Sequence, residues 1–123
     1  DVRSLKNRHP KVINYVIKSM GIITNHAKQA IFEHNYKKIG ELMNINQGYL
    51  DLLGVNTYEL SKMIYAARNA GALGSKITGA GGGGSIISLC SNNVDKVARA
   101  ISREDNVLKV KFTKKGVSSR VYK

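Results

Sequence analysis

Residues 76–84 read Lys76, Ile77, Thr78, Gly79, Ala80, Gly81, Gly82, Gly83 and Gly84, so that five of the six positions from 79 to 84 are glycine. Glycine admits φ > 0 and lets a ligand reach the main chain without meeting a Cβ. Several successive N–H groups can then converge on one concavity and hold an anion such as a phosphate oxygen. A glycine run can also serve close backbone packing in a tight strand connection, or act as a flexible linker. The linker reading fits poorly. The run is short, has no serine-rich extension, and leads at once into Ser85, Ile86, Ile87, Ser88, Leu89 and Cys90, an apolar, strand-like segment. It is not the phosphate loop of the nucleotide hydrolases, because its lysine precedes the glycines instead of following them. Nor is it a dinucleotide fingerprint, since no βαβ unit of ~30 residues with a downstream acid surrounds it.

Other chemistry is sparse. Cys90 is the only cysteine, which excludes an internal disulfide; in an apolar strand it reads as a buried, unreactive thiol in a reducing compartment, the cytoplasm. His9, His26 and His34 lack the spacing and the Cys or carboxylate partners of a metal site, and no metal site is assigned. The net charge of +12 suits an anionic partner: a nucleic acid, an anionic surface, or a nucleotide or carboxylate substrate. The basic residues are scattered, among them Arg3, Lys6, Lys18, Lys38, Arg68 and Lys115, and form no block of five. No aromatic RNP pair or zinc finger accompanies them. Most of this charge reads as solvated surface, and nucleic acid is not the expected partner.

The elements that must position the glycines follow from periodicity. With 123 residues, 42% of them hydrophobic, the chain is sized for one domain with a modest core. No apolar run approaches the ~20 residues of a membrane span. The first residues, Asp1, Val2, Arg3, Ser4, Leu5 and Lys6, resemble neither a signal peptide nor an initiator start, which is the mark of a processed chain or a fragment. Pro10 suits a first helical position. From there Val12, Ile13, Val16, Ile17, Met20, Ile23, Ala27, Ala30 and Ile31 recur at helical spacing and predict an amphipathic helix over 10–33. Asn35 is placed to cap a second helix with Ile39, Leu42, Met43, Tyr49, Leu50 and Leu53 inward and Gly54 as its terminator; Gly40 and Gly48 argue against a single straight rod. Asn56 with Glu59 three residues on predicts a capping box. It opens a third helix with Leu60, Ile64, Ala67 and Ala70 inward, ending at Gly71. A short strand over 75–78, the glycines and a strand over 85–90 come next. Ser91 or Asn92 then caps a fourth helix with Val94, Val97, Ala98 and Ile101 inward, and strands follow at 107–113 and 117–122. Helices segregated from a small, mainly antiparallel sheet make the class α+β.

At this point the residues resemble a known family. The stretch 71–84, from Gly71, Ala72, Leu73 and Gly74 through Lys76 and Thr78 to Gly84, is similar to the third, C-terminal signature of the GHMP kinases, and most similar to the form it takes in the mevalonate kinases. A second stretch in the right order, 43–56, with Asn46, Gln47, Leu50, Leu53, Gly54 and Val55, resembles the helix that precedes that signature. The resemblance covers nearly the whole chain. It implies the ferredoxin-like C-terminal domain of that family, filling residues 1–123. It also implies that an N-terminal ATP-binding domain is lacking, because the family's N-terminal lysine motif and its Gly-Leu-Gly-Ser-Ser-Ala loop are absent. Asp1, Asp51, Asp95 and Asp105 do not lie in the context of the family's catalytic aspartate. The chain is then a fragment or one partner of a split pair, inactive alone.

What the resemblance implies about chemistry is specific. The intact enzyme would transfer the γ-phosphate of ATP to the primary hydroxyl of mevalonate, giving 5-phosphomevalonate for isoprenoid biosynthesis, with Mg²⁺ bound mainly by the N-terminal domain. Gly79, Ala80, Gly81, Gly82, Gly83 and Gly84 would line the ATP-phosphate cleft, or pack against the absent domain. Lys76 would place charge near phosphate or point to solvent. Thr78 would bond a substrate oxygen or the loop backbone, and Ser85 would touch substrate or simply begin its strand. Asn46 and Gln47 would face the acceptor side or form a structural amide network, because buried amides need partners. No residue of this chain is assigned as catalytic. Phosphomevalonate, homoserine or a sugar are the rival acceptors, a homodimer is allowed, and a non-catalytic RNA-binding or assembly module is the reading outside enzymology.

Overall fold

In the computed structural model the chain begins with an element that periodicity does not reveal. Helix α1 (Val2–Arg8) is capped by Asp1, whose carboxylate accepts the Ser4 N–H at 2.7 Å. Only Val2 and Leu5 pack inward from it, too few to register as a repeat. The structure describes residues 1–78 and 84–102, together with the backbone of two later strands over 107–113 and 116–122. His9 closes α1 and opens α2 (Pro10–Phe32), with Pro10 at the first turn as expected.

Helix α2 buries a narrower stripe than its sequence suggests. Ile13, Val16 and Ala30 are buried, whereas Val12, Ile17 and Ile31, expected inward, are 56%, 44% and 59% exposed. The reason is that, among the described residues, α2 packs chiefly on α1 and α3, and two helices cover only part of its circumference. His34, in left-handed backbone (φ 56°), turns the chain into α3 (Tyr36–Leu52), and Asn35 caps that helix by accepting the Lys38 N–H. Gly54 (φ 79°) follows the Leu53 C-cap, the left-handed position that ends a helix and favours glycine.

Helix α4 (Tyr58–Asn69) corrects the expected cap by one residue. Thr57, not Asn56, accepts the Leu60 N–H, so Glu59 falls in the first turn without closing a box. Asn56 serves the junction instead: its Oδ1 accepts the Thr57 N–H, and its amide donates to Asp51 Oδ1 and Ser61 Oγ. Strands β1 (Gly74–Thr78) and β2 (Ser85–Leu89) follow, then α5 (Val94–Ser102). Neither Ser91 nor Asn92 abuts α5. Asn93 precedes its first residue, and its amide donates to Ala70 O and Gly71 O, tying the start of α5 to the end of α4. Strands β3 (Val107–Thr113) and β4 (Gly116–Tyr122) close the order.

The α+β class holds, with helices packed against antiparallel strands. The strands pair as two hairpins, β1 with β2 and β3 with β4, each a separate two-stranded sheet. The main core joins Leu60, Met63, Ile64 and Ala67 of α4 to Ile77 of β1 and to Val97 and Ile101 of α5. Burying each large aliphatic side chain contributes about 1.5–3 kcal/mol. A second cluster, Ile13, Val16 and Leu53, ties α2 to the end of α3.

Helix α3 is unbroken through both glycines, for opposite reasons. Gly48 has nothing within 4 Å of where a Cβ would stand. Gly40 lies directly on the entrance to β1: a Cβ there would collide with the Leu73 carbonyl, and one on Gly74 would lie 2.6 Å from Gly40 Cα. The two glycines therefore let a helix and a strand touch backbone to backbone.

Candidate functional site

The β1–β2 hairpin delivers the two stems of the glycine segment side by side. Thr78 pairs with Ser85, and both side chains are exposed at the end of the hairpin where residues 79–84 join the strands. Gly79, Ala80, Gly81, Gly82 and Gly83 lie outside the described residues. Gly84 is described, and a Cβ on it would come 3.0 Å from the Thr78 carbonyl, tighter than ordinary van der Waals contact. A side chain at 84 would therefore press on the Thr78 carbonyl.

Lys76 is half-buried on the strand leading to this end, with its ammonium donating to the Ile77 carbonyl at 2.7 Å. It is neither a fully solvated lysine nor a free charge. Burial pushes its pKa below the ordinary 10.5. Between the lowered value and 10.5 the unfolded chain holds the proton more tightly than the folded one, so this lysine makes stability rise with pH across that window. Lys76→Met is expected to be relatively most stabilising near neutral pH, with its advantage over the parent shrinking as pH climbs toward 10.5. Urea unfolding at pH 7 and pH 10 measures the difference.

On its free edge, away from β2, strand β1 meets side chains instead of another strand. Asn44 Oδ1 accepts the Ser75 N–H at 2.9 Å, and Gln47 Oε1 accepts the Ile77 N–H at 2.8 Å. Asn44 Nδ2 reaches the Leu73 carbonyl at 3.5 Å, and Arg68 donates to the Ser75 carbonyl at 3.2 Å. Ser75, fully buried, also shares a 2.8 Å hydroxyl contact with Ser88 of β2. Of the expected amide pair, the structure brings Gln47 to the strand and leaves Asn46 half-buried beside it. Asn44 and Arg68 were not singled out by the sequence. Asn44 lies three residues before Gln47, the spacing that puts two side chains on one helix face, and that was the available signal.

A cavity of about 170 Å³ lies between α3 and α4, lined by Gln47, Asp51, Asn56, Ser61, Ile64 and Arg68 among others. Gln47 Nε2 and Arg68 Nε are buried donors without a partner among the described residues. Cys90, expected to be buried, is half-buried against the main core, and burial raises its pKa. Among the described residues there is no group of three His, Cys, Asp or Glu able to hold a metal ion, and no helix long and apolar enough to cross a membrane.

Comparison with known proteins places this geometry in a lineage. The chain is 49% identical to a mevalonate kinase of Methanothermobacter thermautotrophicus over 110 residues, 89% of this chain and 36% of that protein. It is 47% identical to a mevalonate kinase of Pyrococcus abyssi over 105 residues, 81% of this chain and 31% of that protein. The fold superposes on the crystal structure of L. major mevalonate kinase in complex with R-mevalonate with a TM-score of 0.77 and 26% identity, covering 84% of this chain and 32% of that one. The chain thus spans about a third of the length of the relatives it matches. The family described as GHMP kinases, C terminal, matches residues 27–107, from α2 through the β1–β2 hairpin to the start of β3, and to that family this chain belongs.

Proposed function

We propose that this chain is the C-terminal part of a mevalonate kinase acting in the cytoplasm. Joined to an N-terminal ATP-binding domain, it takes part in moving the γ-phosphate of ATP to the primary hydroxyl of mevalonate. The observation that carries the reading is the match to archaeal mevalonate kinases at nearly half identity across most of the chain. The hairpin agrees with it: two exposed stem residues, Thr78 and Ser85, flank a glycine segment, and Lys76 brings a cation to the same strand.

Phosphoryl transfer is catalysed chiefly by positioning and by stabilising charge. In this reading Gly79, Ala80, Gly81, Gly82, Gly83 and Gly84 lie beside the ATP phosphates, where the lack of side chains allows main-chain N–H groups to approach them. Thr78 and Ser85 offer hydroxyls at the mouth. Asn46 faces the acceptor side, and Gln47 holds the strand that carries the glycines. In this reading Mg²⁺ would be held mainly by the N-terminal domain.

The test is to join an N-terminal kinase portion to this chain and follow ADP release from Mg-ATP with mevalonate, phosphomevalonate, homoserine and galactose, using this chain alone as the control. Turnover with mevalonate in the joined protein only is expected. Turnover with another of these acceptors in place of mevalonate would reassign the substrate, and no turnover with any would overturn the catalytic reading.

A further inference from the structure

We infer that Asn44, Gln47 and Arg68 form a clamp on the free edge of β1 that fixes the strand leading to Thr78, the stem that precedes the glycine segment, and that all three are positioning residues for the reaction. The inference rests on the proposed phosphate role of that segment. A strand edge presents a row of N–H and C=O groups that must find partners when buried. Here α3 and α4 replace a neighbouring strand. Asn44 and Gln47 supply acceptors to alternate N–H groups, those of Ser75 and Ile77, and Arg68 supplies a donor to the Ser75 carbonyl. Alternate residues of a strand point their main-chain groups to the same edge, so the three-residue step from Asn44 to Gln47 along the helix matches a two-residue step along the strand.

The clamp ends one residue before the glycine segment's stem. Ile77 N–H is held by Gln47, Thr78 is the last residue of β1, and Gly79 is next. The Gly40–Gly74 contact fixes the other end of the strand against the same helix. Strand β1 therefore cannot slide or tilt relative to α3 without breaking bonds to buried groups. Gln47 is 5% exposed and uses only its Oε1 on the strand, while its Nε2 has no partner among the described residues. A glutamate at this position would keep the acceptor that the strand requires, within a cavity that Arg68 also lines. A methionine would fill similar volume and remove it.

The test compares Gln47→Met, Gln47→Glu and Asn44→Asp in the joined protein, measuring kcat and KM together with amide hydrogen exchange. A displacement of about 1 Å at a reacting centre can lower rates on the order of 100-fold. Gln47→Met is accordingly expected to lose roughly 10- to 100-fold in kcat with little change in KM, and to exchange the Ile77 amide faster while Ile64 and Ala67 amides in α4 stay protected. Gln47→Glu, which retains its acceptor, is expected to recover most of the activity, whereas Asn44→Asp keeps the acceptor for Ser75 but sets an oxygen against the Leu73 carbonyl and is expected to recover less. Three results would overturn the clamp: unchanged kcat in Gln47→Met, an equal loss in Gln47→Glu, or faster exchange spread evenly over the domain. If the parent protein shows no kinase turnover, the functional reading fails on its own, and the exchange data still decide whether the clamp exists.

Discussion

Gly40→Ala is expected to destabilise the domain by roughly 2–4 kcal/mol, the reverse of what the substitution does in an ordinary helix. Alanine is the better helix former by about 1 kcal/mol, so at an open helical site the change is favourable. At position 40 the new methyl would collide with the Leu73 carbonyl and stand 2.8 Å from Leu73 Cβ. The obstacle is largely backbone, which cannot rotate aside, so α3 must separate from the entrance to β1. Separation would strain the bonds that Asn44 and Gln47 make to Ser75 and Ile77. Gly48→Ala is the internal control, in the same helix with no atom within 4 Å of the new Cβ. It is expected to raise stability by about 0.5–1 kcal/mol. Urea unfolding of both variants beside the parent gives the comparison, and two shifts of the same sign would refute the packing account.

The second large effect is expected from Ile64→Ala. Ile64 is 2% exposed, belongs to the main core, and forms part of the wall between that core and the cavity bounded by α3 and α4. Truncating a buried isoleucine removes its transfer free energy and leaves a void, together costing about 2–5 kcal/mol. Here the void would open toward a wall lined by Asp51, Asn56 and Arg68, and water entering it would wet Leu60 and Ile77 from behind. A loss of roughly 3–4 kcal/mol in the denaturant midpoint series is expected. A loss below about 1 kcal/mol would mean that α4 settles inward and the cavity closes.

Much of this architecture is written in local pattern. The long run from Val12 to Ile31 gives α2, Asn35 and Gly54 mark the ends of α3, and the apolar segments around the glycines give an antiparallel hairpin. The failures are instructive. Helix α1 packs only the half-buried Val2 and Leu5 inward, so periodicity has nothing to repeat, and its cap, Asp1, is a single residue. The cap of α4 is displaced from Asn56 to Thr57 because both residue types can cap, and Asn56 is drawn instead to Asp51 and Ser61. Val12 and Ile17 look like core residues in sequence, but which flank of an amphipathic helix is covered depends on its neighbours, which one helix cannot encode.

The candidate site divides in the same way. Its glycines are conspicuous in sequence because their composition is extreme, and Gln47 is visible as an amide on an apolar helix. Arg68 is not, since a lone arginine late in a helix usually reads as solvated charge, and its contact with the Ser75 carbonyl is a tertiary event. Lys76 falls between the two: its sequence allows either solvent or phosphate, and the structure finds it half-buried on its own strand.

The side-chain edge on β1 also bears on how the domain assembles. A hairpin such as β1–β2 closes a short loop and can form in microseconds. The bonds that dock it on α3 join residues 29 to 31 positions apart, so a much longer loop must close before they form. Each requires a polar side chain to meet a backbone group with correct angle in a site already free of bulk water. Such contacts are expected to mature after the apolar surfaces of α4 and β1 have met, and interactions absent from the transition state act chiefly on the unfolding rate. The side-chain bonds from α3 would then act as a latch that closes last, so that Gln47→Met is expected to speed unfolding more than it slows folding in a stopped-flow denaturant series.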